Sequence, residues 1–455
     1  MRDLSDLSHT ILPLSGGGEV LVLDTGSMIG SESQAMLGAL HSRNPGGIRN
    51  HLKLLAEKGS DKFMSTFYVG YGHKSIGDLG SASVFIEGVS MLVAKAVQHF
   101  PLYNGQEVST RYVDFSKQRF IDPAGTKQSA AILEAWRSFY LSGLEELIPV
   151  LKERYPRGED EDEKIWEKAV KARAFDTMRA FLPAAASTNL VWTGPLRQFA
   201  DRIPVLRHHP LPEVREVGDT IEKAVLIAFP NSFSYKRYDA TETYLEKMEE
   251  RYAYFDEKSA PDFEFTDLVD HKRLAEYREA LASRPPKIEL PYTVRDAGTA
   301  EFSFLLDFGS FRDIQRHRAI SLRMPLLTSH HGFEPWYLSE LPEFLRERAE
   351  QTIKTQLAAL EALDLPDTLR QYYLPMGFRT AVRFTGDLRA LAYLVEIRAT
   401  RFVHPTLRMR AVQMADALMG AYGKDGFVLH LDPEPDRFDV KRGTHDIVER
   451  EKSTA

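Results

Sequence analysis

The sequence predicts an α+β protein made of two similar lobes. Three observations carry that expectation. The chain has 455 residues, enough for two or three domains. Two separate pairs of stretches repeat the same order of elements along it. In each pair an apolar strand-like run is followed at once by residues at helical spacing.

The first pair sets Ser83-Val-Phe-Ile-Glu-Gly-Val-Ser-Met-Leu-Val-Ala-Lys-Ala-Val-Gln-His-Phe100 beside Phe302-Ser-Phe-Leu-Leu-Asp-Phe-Gly-Ser-Phe-Arg-Asp-Ile-Gln-Arg-His-Arg318. Both read as a strand, a Gly-Ser-type turn and a helix. Val89, Leu92, Val93, Ala96 and Val97 form a buried helical stripe, and Phe304, Phe308, Phe311 and Ile314 are spaced compatibly. The second pair sets Arg179-Ala-Phe-Leu-Pro183, Trp192-Thr-Gly and Leu196-Arg beside Tyr372-Tyr-Leu-Pro375, Phe384-Thr-Gly and Leu388-Arg. The first pair is offset by about 217–219 positions and the second by 192. The difference implies extra residues in the first half, and the acidic run at 157–164 reads as a solvated loop or helix start there. The join is expected between Ala240 and Pro286, where charge is dense and Pro recurs. This gives an N-terminal domain at 1–245, a linker at 246–285 with a helix over 266–282, and a C-terminal domain at 286–455. Gly16-Gly-Gly18 reads as a turn.

Composition excludes several classes of function. Apolar residues make up 43%, enough for a full core, and the net charge is −7. Such a chain has no general attraction for a nucleic acid polymer or an anionic membrane, so an anionic ligand requires a local arginine cluster. Met1–Thr10 lacks the apolar stretch of a signal peptide, and no window approaches 18 uninterrupted apolar residues. The expected location is cytoplasmic. With no cysteine, thiolate metal sites and thiol nucleophiles are ruled out. His208-His209 and His330-His331 are adjacent pairs, not the i, i+4 spacing of a helical metal site, so no metal is expected.

Two polar clusters stand out. Arg316-His317-Arg318, followed by Ser321, is a dense cationic group of the kind that grips phosphate and oxygen-bearing rings. Glu107-Val-Ser109-Thr-Arg111-Tyr112 offers an acid, a hydroxyl and a guanidinium. Taken alone, each is more often a polar surface turn.

Together these motifs resemble the flavin-dependent thymidylate synthase (ThyX) family. There, one stretch holds Arg-His-Arg, a spacer with Ser, and Glu-x-Ser-x-Arg-Tyr, with Gly-His upstream and Arg-x-x-Leu-Pro, Trp-Thr and Leu-Arg downstream. Here the elements are divided. The first half holds Gly72-His73, Asp78 in place of Glu, Glu107-x-Ser109-x-Arg111-Tyr112, Arg179-x-x-Leu-Pro183 and Trp192-Thr193. The second half holds Arg316-His317-Arg318, Ser321, Thr385-Gly-Asp387-Leu-Arg389 and Ile397-Arg398 ahead of His404. The first half has His99-Phe100-Pro101 where Arg-His-Arg is expected. The second has Met324, Leu326 and Thr328 for Glu, Ser and Arg, and Gln371 for Arg179. Arg323 and Asp387 replace family asparagines, and Arg207 aligns with Arg398 if one insertion is allowed.

The resemblance implies two ThyX-like lobes, each an antiparallel sheet with helices, forming an internal pseudo-dimer with one composite site. Chains of this kind would pair as a homodimer. It implies FAD as cofactor, with NADPH and methylenetetrahydrofolate as cosubstrates, and one-carbon transfer to C5 of dUMP or a related pyrimidine nucleotide. That chemistry needs no protein thiolate. Arg111 and Arg179 would hold phosphate, and Glu107 and Ser109 would contact phosphate, sugar or flavin. Arg398 would face the pyrimidine, acting catalytically with Arg316 and Ser109. Arg316, His317, Arg318, His73, Asp387 and Arg389 would contact flavin. The alternative is a flavin- or nucleotide-binding protein without catalysis.

Overall fold

A computed structural model describes residues 8–23, 30–41, 47–70, 74–110, 113–159 and 161–434. His73 and Arg111 lie outside them. Nine strands run β1 His9–Pro13, β2 Glu19–Leu23, β3 Ser81–Ser90, β4 Asn104–Glu107, β5 Ser187–Pro195, β6 Phe263–Val269, β7 Gly298–Asp307, β8 Ser321–Leu322 and β9 Arg379–Asp387 among the described residues. The helices that position the site are α1 Met91–Gln98, α2 Lys127–Arg154, α3 Glu163–Met178, α4 Leu196–Arg207, α5 Pro212–Ala228, α6 Asp239–Tyr252, α7 Phe308–Ile314, α8 Glu343–Glu361, α9 Leu388–Arg398 and α10 Pro405–Tyr422. The class is α+β, with two antiparallel sheets and helices. The chain divides into two compact units. Unit 1 is Met1–Tyr112, Gln118–Ile121 and Ala185–Tyr254, and unit 2 is Val113–Lys117, Asp122–Ala184 and Phe255–Ala455.

Unit 1 carries a five-stranded sheet in the order β1-β2-β3-β5-β4. Gly16-Gly-Gly18 makes the β1–β2 turn, with Gly17 at φ 77°, where glycine pays no steric penalty. β3 pairs with β5 so that Val84 faces Trp192, and the register slips between Ile86 and Val89. This bulge places Gly88 at φ 67°, with its N–H donating to Asn189 Oδ1 at 2.9 Å. β3 then enters α1 directly: Ser90 caps it, its hydroxyl accepting from Val93 N at 3.2 Å. Every α1 side chain from Met91 to Val97 is buried, Lys95 included.

Unit 2 carries the order β6-β7-β9-β8. Phe302 faces Phe384, and the register runs unbroken to Asp307, which caps α7 through a bond from Ser310 N at 2.8 Å. Phe384 lies 192 positions after Trp192, and Phe302 lies 218 after Val84. Past the bulge the offset drops to 217, the separation of the two caps Ser90 and Asp307. The strand–helix repeat is thus realised in both units, and the one-residue bulge accounts for the drift in its offset. No separate Gly-Ser turn intervenes, because Ser90 and Asp307 turn strand into helix by capping.

The stretch 266–282 is not one helix. Phe263–Val269 is a strand, followed by short helices at His271–Ala275 and Arg278–Ala282. The aromatic side of that strand decides its state: Phe263 and Phe265 set their rings 5–6 Å from Phe302 and Phe304 across β7. The acidic run does end as a helix start, with Asp162 capping α3.

Unit 2 also takes up α2, α3 and the Arg179–Pro183 motif, all from the first half of the sequence. There Arg179–Pro183 meets its own repeat. Met376 N donates to Leu182 O at 2.9 Å and Ala184 N to Leu374 O at 3.0 Å, around a Pro183–Pro375 bridge. Exchanging the copies maps one bond onto the other, which is the reciprocity of a local two-fold contact.

Candidate functional site

The clearest cluster forms in unit 2 around a residue that motif reading passed over, Asp313. It sits on the last turn of α7. Asp307 starts that helix and Phe308, Phe311 and Ile314 bury its inner face, so Asp313 and the following Arg316-His317-Arg318 emerge together at its end. Arg316 Nε lies 3.4 Å from Asp313 Oδ1. Burial opposes ionisation of Asp313, but Arg316, Arg179, Arg398 and Arg312 outweigh it and hold the carboxyl below its usual range. Four guanidiniums thus act on this one carboxylate, with Asp176 and Asp307 also facing Arg179.

His317 is buried, whereas Arg316 and Arg318 are exposed on either side of it. Arg398, the last residue of α9, donates Nε to His317 Nε2 at 2.8 Å. Burial, and then the Arg398 charge, push the His317 pKa down to about 3. The ring is therefore neutral at pH 7, and its Nε2 is the lone-pair side that receives Arg398. Arg398 itself has its pKa lowered by burial and by Arg316, with Asp313 opposing. Among the described residues no carboxylate lies within ion-pair distance of it, so the guanidinium is oriented without being neutralised.

Arg179 follows α3 on a single 3-10 turn. Its Nε and Nη2 are sealed from solvent and have no hydrogen-bond partner. Burial opposes its charge, and Tyr337, Asp176, Asp313 and Asp307 together more than restore it. Tyr337 in turn donates its hydroxyl to Asp307 Oδ2 at 2.9 Å, which ties this wall to the cap of α7.

The other expected residues stand elsewhere. Asp387 caps α9, accepting from Ala390 N at 3.0 Å, and pairs with Arg295 at 2.9 Å. Arg389 pairs with Glu289 and donates Nε to Leu290 O at 3.1 Å. In unit 1, Glu107 accepts from Lys95 Nζ at 2.8 Å and Gln98 Nε2 at 2.7 Å, in a pair whose side chains are 1% and 5% exposed. Ser109 is exposed just beyond β4. Among the described residues no group of His, Asp and Glu is arranged to hold a metal, and no helix is long and apolar enough to cross a membrane.

The α+β chain thus gathers several arginines around a half-buried acid and a neutral histidine. Comparison with known proteins gives the following similarities. Residues 30–231 match the family described as thymidylate synthase complementing protein. A UPF0159 protein of Chlamydia pneumoniae is 26% identical, with 74% of each chain covered. A UPF0159 protein of Thermoplasma acidophilum is 23% identical, covering 80% of this chain and 87% of the relative. Among solved structures, a UMP/dUMP methylase PolB from Streptomyces cacaoi bound with 5-Br dUMP aligns at 13% identity and a TM-score of 0.31, covering 50% of this chain and 93% of that one.

The residue that sequence reasoning missed is Asp313. Its signal was present: an acid one helical turn before Arg316-His317-Arg318, at the i, i+3 spacing that lets the two side chains meet.

Proposed function

We propose that this protein methylates a pyrimidine nucleotide, dUMP or a close relative, at C5, with a bound flavin. The observation that carries the reading is a pair of arginines in unit 2: Arg179, whose Nε and Nη2 are sealed without a hydrogen-bond partner, and Arg398, whose one hydrogen bond among the described residues is to a neutral histidine. A phosphate monoester satisfies the first, and an ionising pyrimidine edge satisfies the second. Buried unsatisfied donors cost ~1–3 kcal/mol each, so a ligand that pairs them binds with that gain.

In this reading Arg179 and Arg316 neutralise phosphate charge. Arg398 faces the pyrimidine and favours the N3 anion, while His317 keeps its fork aimed. Arg318 contacts flavin. Glu107 is committed to Lys95 and Gln98, Asp387 to Arg295 and Arg389 to Glu289, so this reading assigns them no ligand contact. The sealed Arg179 donors and the exposed Arg316 and Arg318 suit the phosphates of a nucleotide or a flavin dinucleotide. When bound, FAD supplies the electron transfer from NADPH that reduces a folate-borne methylene to methyl. The balance is one C5–H bond replaced by C5–CH3, with NADPH oxidised and the folate released as tetrahydrofolate. The protein's own part is placement and electrostatics, which is where such enzymes gain rate.

The test is turnover by purified, flavin-loaded protein. Expected are NADPH oxidation that depends on dUMP and methylenetetrahydrofolate, and release of tritium from C5-labelled dUMP. Nucleotide binding without turnover would favour a non-catalytic binding protein, and no binding of dUMP or flavin would end both readings.

A further inference from the structure

We propose a second anion site in unit 1, for a phosphate-bearing small molecule, which the chain now occupies with its own acidic helix α6. The site lies at the C-terminal end of α4, where Arg207 ends its helix as Arg398 ends α9. Arg207 is buried, its side chain 5% exposed. Its Nη2 donates to Glu242 of α6 at 3.0 Å, and His208 Nε2 meets the same carboxylate at 3.0 Å. Its Nε is sealed with no hydrogen-bond partner, and Glu222 lies 3.6 Å away. Arg237 pairs with Glu222. Beside these groups is a cavity of about 150 Å³, lined by Arg207, Lys236, Arg237, Tyr238, Glu222 and Glu242. One buried arginine and two exposed cations therefore face two carboxylates, with His208 adjacent.

The occupant is weakly anchored. α6 spans fourteen residues and buries none of them. Tyr238, Tyr244 and Tyr252 are exposed along or beside it and Leu245 and Met248 are only half-buried, so it sets no fully buried apolar stripe against the body. A helix without such a stripe gets little from packing and depends on its charges. Those charges are acidic and point at unit 1: Glu242 at Arg207 and His208, with Glu249 attracted by Arg202 and His208. Glu249 is also partly buried, which raises its pKa. In charge and position, Glu242 does for Arg207 what a ligand oxyanion would do. A phosphoryl group offers more acceptors to the same guanidinium fork and displaces the carboxylate on equal terms of charge.

This site is separate from the proposed nucleotide site in unit 2 and does not rest on it. The measurement is hydrogen exchange of the whole chain, titrated with inorganic phosphate. Phosphate should speed exchange across residues 239–252 while slowing it at 203–209. Glu242→Gln removes the competing charge and should lower the half-saturating phosphate about tenfold or more. Arg207→Ala should abolish the response. Sodium chloride at matched ionic strength controls for screening: an equal response to chloride would reduce the effect to general salt weakening and overturn the proposal. So would unchanged exchange in both segments with phosphate present, in the parent protein and in Glu242→Gln alike. Because Glu242→Gln only removes charge from an exposed-face helix, it keeps the test open if Arg207→Ala fails to fold.

Discussion

Lys95, Gln98 and Glu107 of unit 1 stand where Arg312, Gln315 and Met324 stand in unit 2, each 217 positions on. In unit 1 the cation is closed off: Lys95 and Gln98 both bond the Glu107 carboxylate in a nearly dry interior. In unit 2 the carboxylate has become Met324, whose sulfur lies 3.9 Å from the Gln315 amide. The cation there instead adds to the field that holds Asp313 ionised beside Arg316, Arg179 and Arg398. One copy spends its charge on its own structure and the other gathers charge at a helix end. The same scaffold, with one acid exchanged for a thioether and one introduced a turn earlier, gives opposite electrostatic outcomes.

The largest effect should come from making unit 1 resemble unit 2. Lys95→Met removes the cation from the buried Glu107 and should cost ~3–5 kcal/mol in urea unfolding. Lys95→Met with Glu107→Met should recover most of that, because replacing both members of a buried pair with apolar groups is often close to neutral. The double variant should fold, read from the same urea midpoints. A cost below about 1 kcal/mol for the single variant would mean the pair is not sealed as described.

Next is the contrast between the two helix-end arginines. Arg398→Ala removes a charged donor whose only described hydrogen bond within the chain is to His317, so it should weaken dUMP binding at least tenfold in calorimetry, worth ~1.5–3 kcal/mol. Arg207→Ala, the counterpart already paired with Glu242, should leave dUMP affinity within about threefold. Equal losses in the two variants would erase the distinction between the copies.

Much of this fold was legible in the sequence because both repeats are written in strand–helix junctions. The apolar run and the cap sit next to each other there, so local pattern and tertiary role agree. Val84–Trp192 and Phe302–Phe384 are paired in the sheets at the offsets the repeats imply. Strand β6 was not legible, because Phe263 and Phe265 alternate with charged and polar residues inside a stretch that reads as linker. Its identity comes from the aromatic face of β7, which local sequence does not reveal. Arg179, Arg316 and Arg398 stood out in the sequence as motif residues, and the structure brings them together around Asp313. That Arg179 packs in the unit formed mainly by the second half was not legible, since it depends on where α2 and α3 travel. Asp313 was overlooked because a single acid beside basic residues reads as a surface ion pair. Only the tertiary structure shows that four arginines act on it.

The smallest effect tests whether the two copies handle buried histidine alike. Burial drives His99 down to about 4 and His209 to about 3 in unit 1, as it drives His317 to about 3 in unit 2. In each case the unfolded ring, near pH 6.5, binds a proton that the folded ring refuses. Stability is therefore full above about pH 6.5 and falls as the pH drops toward the folded values, at ~1.4 kcal/mol per pH unit for each ring. Replacing one ring with glutamine should flatten the slope between about pH 4.5 and 6 by one proton, read from urea midpoints across pH. His99→Gln and His317→Gln should flatten it equally if burial alone sets the cost. The second has a further consequence. Glutamine keeps an acceptor within reach of Arg398, so nucleotide affinity at pH 7 should survive His317→Gln but not His317→Leu, which leaves the guanidinium unaimed. Equal binding by the two variants would show that His317 fills space and does not orient Arg398.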